Sequence, residues 1–507
     1  MAHNEAWPEV QTVEVSMMEM ELRRRDFLKM AGTVPFLGSS GILPASALSQ
    51  TTSGKMTAGT AKVEVTPHEP HVCANGYRPD PPVIYHPVNA RCLTLNDGQK
   101  RLVIVTYDFN CLDVATPILR ERVERELGIA PAYLVLLATH NHQAPIQIVP
   151  DNFEYGRTLA EKIFALIKEA ISKEDGPVQL HYGFGHGYFI RCNGNAPPDY
   201  EIQLLKVMKG NKPAAFLFNH PTHPLEGPAG YGASHPGFAM DEIEAKFPGS
   251  LALYADGCGG NQYCFAPPGI TDRLPACKQR GHELAEVIFK TADGPMEEVT
   301  GPIQSQWKVV SLPLAEPLPY QKALELARAI PLDIGFVPFP DRRRPSNWIR
   351  ALIKHYKEGI PFPTKSSDYT CTDDAYLVPK LDTPRKYECR YEEVLAAKIG
   401  RLNFVAIQGE PCAPIGARIK EVLRQKTPSM VFGYFAEHNL YIPTRELVRL
   451  DEYQSQVIRI QYASPVGWAP DVEDEMVKAV LALYGEEIWE RRRSRAASQG
   501  FNNSDRF

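Results

Sequence analysis

Residues able to bind a metal or move a proton collect where short apolar runs end. The run 133–139 closes on Thr139-His140-Asn141-His142, the run 214–218 on Asn219-His220-Pro221-Thr222-His223, and the run 402–408 on Gly409-Glu410. A fourth, 429–435, leads into Ala436-Glu437-His438-Asn439-Leu440-Tyr441. Two histidines at i and i+2 share one face of an extended chain, so the spacing predicts that His140 and His142 point into one cavity. Neutral imidazoles with a carboxylate form the donor set of a catalytic Zn²⁺ site that keeps one position for water. A lone histidine more often caps a loop or satisfies a buried carbonyl. An H-x-H and an H-x-x-H, each directly after an apolar strand, favour a metal. Spacing alone does not select the carboxylate.

Strands and helices must hold these groups in place. Segments 62–65, 101–106, 133–139 and 214–218 are apolar, β-branched or aromatic and read as strands. Segments 117–127 and 157–171 carry apolar residues at three-to-four spacing, as amphipathic helices do. A strand at 251–255 leads into the turn Gly257-Cys258-Gly259-Gly260, followed by a helix over 272–291 whose start Pro275 should delay. After a connection at 292–301, where the domain could divide, come a helix at 320–329 and a Pro/Arg-rich surface loop or lid at 337–345. Strands at 394–398 and 402–408, a helix at 415–425, a strand at 429–435 and a helix at 470–484 complete the pattern. No internal repeat is visible. The fold class is α/β with mixed α+β layers.

The composition of the 507 residues excludes several alternatives. With 44% hydrophobic and 23% charged residues, the chain is neither a disordered tail nor a collagen or coiled coil. A net charge of −5 gives no footprint for nucleic acid. The ten cysteines include no C-x-x-C pair, which argues against a thiolate zinc site. Arg23-Arg24-Arg25-Asp26-Phe27-Leu28-Lys29, a short apolar stretch and Ala45-Ser46-Ala47 have the layout of a twin-arginine signal peptide. The expected organisation is a signal at 1–47, a Ser/Thr/Gly-rich linker at 48–60, a catalytic domain at 61–490 and a disordered tail at 491–507. The export machinery would be a partner and the product periplasmic or secreted. No segment approaches 18 uninterrupted apolar residues, so no stable transmembrane anchor is expected.

Taken in order, several motifs resemble the neutral, non-lysosomal ceramidase family, zinc-dependent amidases that split ceramide into sphingosine and fatty acid. Val65-Thr66-Pro67 is similar to the family's opening strand-to-loop motif, and Ala138-Thr139-His140-Asn141-His142 to its first zinc-binding segment. Phe218-Asn219-His220-Pro221-Thr222-His223-Pro224 resembles the second histidine segment, and Gly257-Cys258-Gly259-Gly260-Asn261 the glycine turn. Ala406-Ile407-Gln408-Gly409-Glu410 is similar to the segment that supplies a glutamate ligand, and Tyr441-Ile442-Pro443-Thr444 with Tyr453 to the tyrosine segment. The resemblance implies a neutral-ceramidase-like catalytic domain with a zinc site at strand ends. It implies Zn²⁺ ligands His140, His223, Glu410 and Tyr441, with His142, Arg191 and Tyr453 around the substrate carbonyl. Aligning on Asn219 makes His223 the second histidine ligand, whereas aligning on His-Pro-Thr makes it His220. Keeping the strand ungapped favours His223. Asn261, in the glycine turn, is a further candidate.

The chain departs from the family where substrate is shaped. The family's G-D-x-S-P segment reads Gly260-Asn261-Gln262-Tyr263-Cys264, without serine, and Gln143-Ala144-Pro145 follows the H-x-H. The β-sandwich that follows in the family's ceramidases is not expected within these 507 residues. The expected function is an exported zinc-dependent hydrolase whose bound water attacks an amide, in an N-acyl sphingosine-type lipid or another small molecule. Two alternatives are a zinc enzyme acting on a carbohydrate or small ester or amide, and a non-catalytic periplasmic zinc- or ligand-binding protein. Asp341-Arg342-Arg343-Arg344-Pro345 would suit an anionic ligand or a solvated surface.

Overall fold

Each third of the chain builds its own sheet. The computed structural model describes residues 55–74, 76–147, 149–194, 196–329, 346–366, 392–436 and 440–485. In the first sheet β1 (Thr57–Glu64), β2 (Asn89–Asn96) and β3 (Arg101–Tyr107) are antiparallel, and β4 (Leu134–Ala138) lies parallel to β3 after helix α1 (Ala115–Leu127). Helix α2 (Phe153–Ser172) buries Leu159, Ile163, Leu166 and Ile167 in the core beside this sheet.

The second third supplies β5 (Val178–His186), β6 (Ile190–Cys192), β7 (Glu201–Lys209), β8 (Lys212–His220), β9 (Leu251–Asp256), β10 (Gln262–Cys264) and β11 (Glu297–Glu298). The sheet order is β11-β5-β7-β8-β9, with β8 and β9 parallel across helix α3 (Ser234–Lys246), while β6 and β10 form a separate ribbon. Helix α4 (Arg273–Asp293) packs on α3 and on β5. The last third repeats the arrangement. Strands β12 (Ile303–Val309), β13 (Glu393–Ile399) and β14 (Leu402–Ile407) are antiparallel, two-residue β15 (Glu410–Pro411) follows, and β16 (Ser429–Phe432) returns parallel to β14. Its helices are α5 (Tyr320–Ala329), α6 (Ser346–Glu358), the crossover α7 (Ala413–Leu423), α8 (Arg445–Arg449), α9 (Tyr453–Ile460) and α10 (Val472–Leu483). Strand β17 (Tyr441–Ile442) pairs with β15.

The same topology therefore occurs three times: an antiparallel meander, a helix, and a fourth strand parallel to the third. The sequence shows no such repeat. Ligands in open α/β sheets gather outside the carboxyl ends of parallel strands. Here the third strands end at Tyr107, His220 and Ile407, and the residues three further on are Asn110, His223 and Glu410. Hydrogen bonds between sheets bring these ends together. The Ala436 N–H donates to Leu136 O (2.8 Å) and the Ala138 N–H to Tyr434 O (3.2 Å). The Asn219 amide donates to Val431 O (2.9 Å), and the Val431 N–H to Gln203 Oε1 (3.0 Å). Leu136, Leu217, Leu253, Phe404 and Phe432 fill the shared core.

Some expectations need correction. Thr57–Thr60 belong to β1 and not to the linker. Gly59 lets the strand cross α2 where a Cβ would sit 2.0 Å from the Ala170 carbonyl. Pro275 does not delay α4, because the third residue of a helix needs no intrahelical N–H partner. Strand β8 continues through His220, so His220 is a strand residue. The calls at 1–47, 337–345 and 491–507, and Glu437 and His438, lie outside the described residues.

Candidate metal centre

The first donor lies just past β4. That strand stops at Ala138, and His140 adopts a left-handed conformation (φ 51°), so the H-x-H is a turn and not the extended segment its spacing predicts. Asn141 makes the turn. Its buried amide donates to the carbonyls of Asp108 (2.9 Å) and Gly232 (2.8 Å), and its Oδ1 accepts from the Gln143 N–H (3.0 Å). The imidazoles of His140 and His142 still meet, with their Nε2 atoms 3.1 Å apart.

Pro221 and Thr222 turn the chain before His223. The His223 N–H donates to Gln262 O (2.9 Å), and its carbonyl accepts from the Cys264 N–H (3.1 Å). Its Nδ1 lies 3.1 Å from Gly259 O and 3.0 Å from Gln262 O. Carbonyls only accept, so Nδ1 carries a hydrogen and Nε2 is left for the centre. Glu410 and Tyr441 arrive as partners in the parallel β15–β17 ladder. Gly260 packs directly on that strand, where a Cβ would lie 2.2 Å from the Glu410 carbonyl oxygen.

Glu410 Oε2 is the hub, 3.0 Å from His223 Nε2 and 3.3 Å from His140 Nε2, while the Tyr441 hydroxyl is 3.1 Å from His223 Nε2. Burial works to raise the Glu410 carboxyl, but His140 and His223 outweigh it and hold it well below the usual range. Burial lowers His140 to about 3 against the pull of Glu410. Burial also works to lower His223, yet the Glu410 carboxylate and two backbone carbonyls carry it above its ordinary value. Burial, then the Glu410 charge, push the Tyr441 phenol well up. An ionised carboxylate, a neutral imidazole, an outward Nε2 and a phenol oxygen converge with more lone pairs than hydrogens. That donor set fits a divalent cation. Among the described residues, ring nitrogens of His140, His142 and His223 lie within 4.8 Å of one another and could hold a metal. A cation would also offset the groups that keep Tyr441 protonated.

The remaining sequence candidates are placed unevenly. His142, His223 and Tyr441 line a cavity of about 510 Å³ together with Tyr453 and Asn261. The ring of Tyr453 is 5.9 Å from that of Tyr441, and its hydroxyl accepts from Gln461 Nε2 (2.7 Å). Asn261 acts as a staple. Its Oδ1 accepts from the Ala413 N–H (2.8 Å), and its Nδ2 donates to Asn193 O (3.0 Å). Arg191 is not brought to the cavity wall. It is exposed on β6 opposite Tyr263, and its guanidinium lies over the Phe265 ring at 4.6 Å. His220 is sealed in the core against Phe189 (5.1 Å between ring centroids), and burial pushes it down to about 3.

Three further residues surround the centre. The Asn110 amide is 3.1 Å from His140 Nδ1, and the Tyr434 ring lies 4.1 Å from the His140 ring. Glu226 Oε1 is 3.5 Å from His142 Nδ1. Asn110 follows a recognisable strand, as His223 and Glu410 do, so its strand-end position was a usable signal. Glu226 and Tyr434 carried none.

Comparison with known proteins supports the architecture. The chain resembles the crystal structure of neutral ceramidase from Pseudomonas aeruginosa, with a TM-score of 0.63 and 17% identity over 86% of this chain and 75% of that one. It also resembles a ceramidase complexed with C2, with a TM-score of 0.62 and 16% identity over 86% of this chain and 76% of that one. At these identities the likeness establishes a neutral-ceramidase-like fold and nothing finer. No family model and no curated protein matches the chain.

Proposed function

We propose that the protein is a metal-dependent hydrolase that cleaves an amide, with N-acylated sphingosine-type lipids as the first substrate class. The observation that carries this reading is the meeting of His140, His223, Glu410 and Tyr441 beside the cavity that His142 and Tyr453 line. A divalent ion held by those four residues would supply Lewis acidity toward a carbonyl oxygen and toward water. In this reading His142, whose Nε2 is 3.1 Å from that of His140, would take a proton from the attacking water and pass it to the leaving nitrogen. Tyr453 and Tyr441 shape the wall against which the acyl group would lie. Ceramide cleavage is the activity suggested by the proteins whose fold this chain shares.

Part of the cavity lining would suit a second substrate class. Asn193, Gln262, Thr271 and Arg273 share it with the partly exposed rings of Tyr263 and Tyr453. Polar groups between aromatic platforms suit a carbohydrate or a small polar amide or ester. Zinc-loaded protein should release fatty acid from a fluorescent N-acyl sphingosine or acetate from N-acetylated amino sugars, and lose that activity on chelation. Zinc-loaded protein inert on both panels would contradict the hydrolase reading and favour a binding protein.

A further inference from the structure

A second cavity, of about 170 Å³, is built where α6, α8 and α9 meet the segment 465–468. Trp468 and Trp348 line it, 2% and 7% exposed, together with Leu318, Val448 and Val466. The chain at Trp468 is pinned on both sides. The Ala315 N–H donates to Gly467 O (2.8 Å), and the Ala469 N–H to Pro313 O (3.1 Å). Arg459 lines the cavity from α9. Its Nη2 donates to Asp451 Oδ1, and its guanidinium carbon lies 5.1 Å from the centre of the Trp348 ring.

Two buried donors of this lining, Nε1 of Trp468 and Nε of Arg459, have no acceptor among the described residues. Gly467 keeps the approach to Arg459 clear, since a Cβ there would stand 3.5 Å from Nε. Buried N–H groups are nearly always paired, and a carboxylate offers an oxygen to each of two such donors. The rim supplies the opposite charge. Glu316 and Asp451 are exposed and also line the cavity, so a simple anion is opposed there and an ammonium group is attracted. A cavity of about 150 Å³ takes benzene, so this one admits roughly six to nine non-hydrogen atoms with their polar end at the rim. We propose that the cavity is a binding site for a small apolar α-amino acid. Its carboxylate accepts from Trp468 Nε1–H and Arg459 Nε–H, its ammonium group faces Glu316 and Asp451, and its side chain lies against Leu318, Val448 and Val466. Helix α9 brings Tyr453 and Gln454 to the metal cavity and Ser455 and Arg459 to this one, yet none of the metal donors lines it. The site therefore fills with or without zinc and does not rest on the hydrolase reading.

Isothermal titration of the full chain with L-leucine and L-valine, with zinc and after its removal, tests this. Both amino acids should bind at one site per chain, equally in the two forms. The analogues 3-methylbutylamine, without the carboxylate, and 4-methylpentanoate, without the ammonium group, should bind at least about tenfold more weakly than L-leucine. Trp468→Phe removes the indole N–H and should cost at least about tenfold in affinity. Glu316→Gln alters only the exposed rim, leaves folding intact, and should weaken L-leucine severalfold. No binding of either amino acid up to about 10 mM would overturn the proposal. So would undiminished affinity in Glu316→Gln, or 4-methylpentanoate binding as tightly as L-leucine. Binding that requires zinc would put the amino acid at the metal centre, and binding of glucose in place of both amino acids would mark a sugar site. Either result would also overturn it.

Discussion

Asn141 is buried between two histidines that face the other way, and it gives both amide hydrogens to carbonyls of neighbouring loops. The centre depends on that turn, because His140 is held in a left-handed conformation that the backbone does not favour by itself. Asn141→Ala should cost roughly 1–3 kcal/mol of stability by leaving two buried carbonyls short of donors. It should also weaken zinc binding by about 10–100-fold, as loss of outer-shell support commonly does. Urea unfolding and competition with a chromophoric chelator would measure the two effects. Zinc affinity at the wild-type level in a destabilised variant would show that the turn is held by other groups. The histidine spacing was legible in the sequence, but the turn was not. Period-two reasoning assumes an extended chain, and the buried side-chain bonds of Asn141 override it.

The β15–β17 ladder delivers Glu410 and Tyr441 as adjacent residues, and the glycine turn braces it from behind. In Gly260→Ala the new methyl would meet backbone and not a movable side chain, so the ladder itself must shift. The expected result is a folded protein, by circular dichroism, with zinc affinity reduced by at least about tenfold. Unchanged affinity would mean that the turn and the ladder are not coupled. Elements with clear periodicity, such as α2, α5 and β14, were readable within a few residues. Strand β2 was not, because Asn89, Arg91, Thr94 and Asn96 interrupt its apolar residues although the strand is buried along almost its whole length. Arg191 is a different case. The resemblance implies that it lies around the substrate carbonyl, whereas in the structure its guanidinium lies over the Phe265 ring and it is not among the residues that line the cavity.

At the scale of the molecule, three sheets of one topology converge at the carboxyl ends of their parallel strands. Each contributes to one cluster: His140 and Asn110 from the first, His223 from the second, Glu410 from the third. The family resemblance named His140, His223 and Glu410 from strand ends scattered across the chain, but not Asn110. The repeat was illegible because topology is set by hydrogen-bond pairing and leaves no periodic signature in residue types. The most direct test of the shared centre is elemental analysis of purified wild type beside His223→Ala and His220→Ala. The three-sheet centre predicts about one zinc per chain in wild type and in folded His220→Ala, and loss of the metal in His223→Ala. Wild type that stays metal-free after zinc is supplied, or metal lost only in His220→Ala, would contradict it.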